Sequence, residues 1–175
     1  IVPLLYLLSA ILMGYGVVLF ESCLASSAYR REIETSMLGP MAKVMLGMLG
    51  VYLAVRVVDL TVRGAWGNAF DFGLVAVFFW IEMILFCLPF ALVATAEARR
   101  NPARLFLGGA AIMLGGSLLR LNGYLIGYDT GPGWRYFPSV PELLVTFGMT
   151  AVAVLGFIVV TRLFPVLPRE EASAH

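Results

Sequence analysis

The sequence predicts an all-α fold: a polytopic bundle of about five membrane-spanning helices. Three observations carry this. The chain is 61% apolar and only 13% charged, whereas soluble domains carry roughly 25% charged residues. Its mean hydropathy is +0.91. Its apolar residues fall into runs of about 20, the length a helix needs to cross the hydrocarbon core, and short segments rich in Gly, Pro and charge separate the runs.

The first span is expected over 1–24, with Glu21 near its end, and a loop to Gly39 follows. The second covers 40–62 and is interrupted by Arg56 and Asp59. A connector with Gly64, Gly67 and the interface anchor Trp66 leads to a third span over 70–95. This span has Glu82 at its middle, and Pro89 is expected to kink it. The fourth span is 103–126 and the fifth 141–164. Residues 1–168 then form one helical domain and 169–175 a polar tail. Small residues four apart, Ala10 with Gly14 and Ala111 with Gly115, permit close helix approach in lipid. The glycines of the fourth span place it in the middle of the bundle.

Orientation follows from lysine and arginine placement. Arg30, Arg31, Lys43, Arg99, Arg100, Arg104, Arg162 and Arg169 fall on one side, and only Arg63 and Arg135 on the other. The C-terminus is therefore expected in the cytoplasm, with the 127–140 loop facing outward. The chain opens with Ile1, already inside an apolar run, so an upstream segment is expected.

Several classes of function are disfavoured. The net charge is +1 and there is no basic tract of the nucleic-acid type. Cys23 and Cys87 belong to no CxxC motif, and His175 is the only histidine. An iron–sulfur ligand set and a two-histidine haem site are therefore not expected from this chain alone. The eight methionines leave a methionine-ligated haem open, although at helical spacing methionine more often packs. There is no metal-ligand cluster, no glycine-rich phosphate loop and no nucleophile–histidine pair.

Ionisable groups at bilayer depth are costly unless they face protein or water. Arg56 and Asp59, three apart, share one face in the outward half of the second span. Arg120 and Asn122 lie in the outward half of the fourth, Glu82 is central, and Glu21 is near the cytoplasmic end of the first. By depth, Glu21, Glu82 and the group Arg56, Asp59 and Arg120 form a ladder across the membrane. Desolvation favours the neutral form of a carboxyl group, so a mid-bilayer acid can take up and release protons. The same charges also fit register-fixing ion pairs, Arg56 with Asp59 or Arg120 with Glu82. Glu82 stands apart because no charged residue lies within four positions of it on its own helix.

The 127–140 loop carries the turn formers Gly127, Gly131, Pro132 and Gly133, then Trp134, Arg135, Tyr136 and Phe137. Pro138 and Pro141 mark the start of the next helix, with Ser139 as its cap and Glu142 in its first turn. The aromatic residues fit an interfacial belt. They also fit a platform where a periplasmic partner docks or a quinone head group enters.

Arg120-Leu121-Asn122, Gly127, the run Gly133-Trp134-Arg135-Tyr136-Phe137-Pro138-Ser139 and Glu142 together resemble the C-terminal region of NrfD/PsrC-type membrane subunits. The nearest branch is the HybB-type subunit of nickel–iron hydrogenases. The first span and the ending Phe164-Pro165-Val166-Leu167-Pro168 resemble the same branch. The resemblance implies the C-terminal part of a fold of about eight to ten helices in the bacterial inner membrane. It implies electron exchange between a periplasmic ferredoxin-like iron–sulfur subunit, itself joined to a catalytic subunit, and a membrane quinone (menaquinone or ubiquinone). It implies no required haem, and proton translocation in some members. Glu21, Arg56, Asp59, Glu82, Arg120 and Asn122 become candidates for the polar interior of the second helical bundle. The family's quinone contacts lie mainly in an N-terminal bundle not included in this stretch. Two other readings remain open at this point: a membrane anchor without chemistry, and a transporter fragment.

Overall fold

The computed structural model describes residues 2–28, 32–70, 73–127 and 139–163. All regular elements among them are helical: α1 (Val2–Ala28), α2 (Thr35–Val62), α3 (Trp66–Phe70), α4 (Leu74–Val93), a 3-10 turn (Ala98–Arg100), α5 (Pro102–Gly127) and α6 (Val140–Leu163). Five of these helices are long and apolar enough to cross a membrane, and the chain is a multi-pass membrane protein. It divides into two compact units, 1–129 and 130–175.

In the first unit, α5 packs along both α1 and α4, and α2 packs against α1 and α4. Within this unit α5 is the central helix, in contact with α1, α2 and α4. Each long helix buries a seam whose steps alternate three and four residues. On α1 the seam is Leu5, Ser9, Leu12, Gly16, Leu19 and Cys23; on α4 it is Phe79, Glu82, Phe86, Pro89 and Val93. On α5 it is Leu105, Gly108, Ile112, Gly115, Leu119 and Asn122. This 3–4 alternation is the pattern of helices crossing at shallow angles. The opposite faces expose Leu7, Val51, Ile84, Leu114 and similar side chains to the surroundings, as lipid-facing helices do.

The closest backbone approach is between α1 and α5. A methyl group added at Gly109 would lie 2.7 Å from the Gly16 carbonyl oxygen, and one at Gly16 would lie 3.0 Å from the Gly109 oxygen. The contact predicted at Ala10 and Gly14 is not the one formed: Ala10 is exposed, and a methyl group at Gly14 would meet nothing. Gly115 does pack closely, against Leu85 and Phe86.

Several boundaries differ from the sequence reading. Helix α1 runs on to Ala28 and α2 begins at Thr35, so Pro40 lies inside α2 rather than at its start. Here the proline forfeits only one backbone bond near the helix end. The third span begins at Leu74, and Phe70, expected at its start, belongs to the separate short helix α3. The turn between α2 and α3 depends on Gly64, whose φ of +61° is a conformation that glycine adopts without strain. Pro89 lies within α4, which remains helical to Val93. Beyond α4, Arg99 donates to the carbonyls of Val93 and Ala94 at 3.0 and 2.6 Å and satisfies that helix end.

The second unit is described through α6 alone. The Ser139 N–H donates to Glu142 Oε2 at 3.2 Å, which is the backward arm of a capping box. Pro141 sits in the first turn, where its missing N–H costs nothing. Trp134, Arg135, Tyr136 and Phe137 lie outside the described residues.

Candidate functional site: a buried carboxylate between three helices

Helix α2 presents Tyr52 and Arg56 on one face, four residues apart. Helix α4 brings Glu82 to its seam between Phe79 and Phe86, and α5 brings Asn122 to the end of its own seam. The four side chains meet with Glu82 at the centre, wholly buried (0% exposed). The Asn122 amide Nδ2 donates to Glu82 Oε2 at 2.7 Å. Arg56 Nη2 donates to Oε1 at 3.3 Å, and the Tyr52 hydroxyl donates to the same oxygen at 3.4 Å. The Arg56 guanidinium also lies 5.5 Å from the centre of the Phe79 ring, a cation–π contact. The Tyr52 ring packs on Phe86 with centroids 4.6 Å apart.

A buried ion pair holds only where further hydrogen bonds satisfy the remaining polar atoms. Here most are satisfied. Arg56 Nε and Asn122 Oδ1 are buried with no hydrogen-bond partner among the described residues. The Asn122 oxygen has a chemical consequence. An ionised carboxylate only accepts, and three donors surround Glu82. A protonated carboxyl gains a donor, and Asn122, with its amide turned over, offers the unpaired oxygen to it. The cluster can therefore serve Glu82 in either protonation state. Its net charge changes from zero to +1 when the proton is taken up.

Of the sequence candidates, the structure brings Arg56, Glu82 and Asn122 together and leaves three outside. Asp59 is buried, but it pairs with Arg63, the residue that caps the end of the same helix (Nε to Oδ1, 2.8 Å), not with Arg56. Arg120 turns away from Glu82: its Nη1 donates to the Gly116 carbonyl oxygen and to Met13 Sδ, each at 2.8 Å. The reason is angular. Residues two apart on a helix point to nearly opposite sides, so Arg120 and Asn122 cannot both face the cluster. Glu21 is exposed on α1. The ion pairs expected between Arg56 and Asp59 and between Arg120 and Glu82 are thus replaced by Arg56 with Glu82 and Arg63 with Asp59. Sequence reasoning missed Tyr52. Its signal was its position one turn before Arg56, on the same buried face.

No family model matches the chain. No solved structure matches it. Over 175 residues it is 31% identical to the probable Ni/Fe-hydrogenase 2 b-type cytochrome subunit of Escherichia coli (strain K12). The chain resembles a hydrogenase membrane subunit. The match takes in 99% of this chain and 45% of the relative, so the chain spans less than half the length of the protein it matches.

Two expectations are corrected by this relative. The NrfD/PsrC assignment is not supported, because no model of any family matches and the relative carries a b-type cytochrome name. The expectation of a haem-free subunit is overturned by the same name. A two-histidine haem site does not fit the described residues, which contain no histidine, and among them no group of three His, Cys, Asp or Glu side chains is placed to hold a metal ion.

Proposed function

We propose that the chain is part of an integral membrane subunit of a hydrogenase-type respiratory complex. The subunit passes electrons between a periplasmic iron–sulfur subunit, joined to a catalytic subunit, and the membrane quinone pool. In this reading it resides in the bacterial inner membrane with its basic end toward the cytoplasm. The Glu82 cluster handles the proton that accompanies the electron step: the carboxylate takes it up, Arg56 balances the charge of the ionised form, and Tyr52 and Asn122 keep the carboxyl oriented. The single observation that carries the reading is a wholly buried carboxylate, near the middle of a membrane span, held by donors from two other spans. Likeness to a hydrogenase 2 membrane subunit supports the redox setting.

Glu82→Gln in the full-length protein tests it. The amide keeps the size and the acceptor oxygen but cannot ionise. The complex is expected to assemble, while quinone-linked turnover, or the proton uptake that goes with it, falls by about tenfold or more. Turnover and proton uptake at wild-type levels would remove Glu82 from the reaction. A second reading rests on the same contacts: the cluster ties α2, α4 and α5 together, as an anchor without chemistry would require. In that case Glu82→Gln lowers the yield of assembled complex, and what does assemble turns over normally.

A further inference from the structure

We infer that the basic end of the bundle holds one phospholipid. Arg100 and Arg104 take its phosphate, and the apolar groove beside Phe106 takes one acyl chain.

Three cavities adjoin at this end. The first, about 540 Å³, is lined by Thr95, Glu97, Arg100, Asn101 and Arg104. The second, about 420 Å³, shares Arg100 and adds Lys43 and Ser36. The third, about 300 Å³, shares Pro102 with the first and is apolar, with walls from Leu24, Ile33, Ala103 and Phe106. A cationic pocket that shares a wall at Pro102 with a greasy one matches an amphiphile: the first recognises an anion and the second a hydrocarbon chain.

The charges are available. Among the described residues Arg100, Arg104 and Lys43 form no ion pair. Arg99 differs, since both its contacts go to the end of α4. The first turn of α5 is also already served, because Asn101 Oδ1 accepts from the N–H groups of Ala103 and Arg104 at 3.0 and 3.4 Å. Recognition therefore falls to the guanidinium groups, whose planar forks suit phosphate oxygens. Glu97 lines the same pocket and directs an anion toward the arginine side. The pocket lies where four spans end, and basic pockets between spans bind lipid head groups. Free phosphate would engage the arginines, whereas a lipid would also fill the groove.

The test uses the full-length protein purified in its complex in mild detergent. Native mass spectrometry counts retained lipid during titration with phosphatidylglycerol, diacylglycerol or inorganic phosphate. One phosphatidylglycerol is expected to bind tightly and diacylglycerol weakly, with no displacement by millimolar phosphate. The pair Arg100→Gln and Arg104→Gln should weaken retention about tenfold. Ala103→Trp, which fills the groove and leaves the charges, should do the same, while Arg63→Gln at the opposite end should change nothing. Undiminished retention in the double arginine variant overturns the inference. Equal binding of diacylglycerol reduces the site to a hydrocarbon groove, and displacement by phosphate with no effect of Ala103→Trp reduces it to an anion site; either result also overturns it. If the double variant fails to assemble, Ala103→Trp decides alone: retained lipid refutes the site and lost lipid supports it.

Discussion

Asp59 and Glu82 are both buried acids in membrane spans, yet they are held in opposite ways. Asp59 is answered locally, by Arg63 at the cap of its own helix, whose side chain is half-exposed. Glu82 is answered only from other helices: Arg56 and Tyr52 of α2, and Asn122 of α5. A pair four apart on one helix forms as soon as the helix does, and it contributes little, because one partner remains near polar surroundings. A contact among three helices exists only after they have packed, so it reports on, and helps to specify, the assembled bundle. In this chain the intramembrane acid with a local partner stands apart from the three-helix cluster, and the acid without one lies at the centre of the candidate site.

The largest test of this contrast is Glu82→Leu. It leaves Arg56 buried without a carboxylate and Asn122 without its acceptor, and should cost about 3–5 kcal/mol, read as a large drop in the thermal unfolding midpoint in detergent. Asn122→Leu removes the shortest of the three hydrogen bonds but leaves the ion pair. About 1–2 kcal/mol is expected by the same measurement. Tyr52→Phe deletes only a long hydrogen bond and keeps the ring on Phe86, so about 0.5 kcal/mol is expected. Asp59→Asn should fall within about 1 kcal/mol of the parent and leave turnover unchanged. If Asp59→Asn destabilised the protein as much as Glu82→Leu, the distinction between local and cross-helix charges would not hold here.

What could be read in the sequence follows the same division. The five spans were legible because length and apolarity are local properties. Glu82 was legible because it has no charged neighbour on its helix. Asn122 was legible as a polar residue in an apolar run, but its pairing with Glu82 was not, since nothing in a linear sequence gives the rotation of one helix against another. The misplacing of Arg120 was avoidable, because it lies two residues before Asn122, on nearly the opposite side of α5, and the two cannot share a cluster. The Gly16–Gly109 contact was hidden for a different reason. Many small residues lie four apart in these spans, and only the packed structure selects the pair that touches.

That contact has an electrical consequence. Where α1 meets α5, one backbone lies against the other with no room for a side chain, let alone a file of water molecules. The Gly16–Gly109 crossing therefore insulates its part of the membrane's cross-section against ions and protons. No conducting route to the buried acid can pass through that crossing.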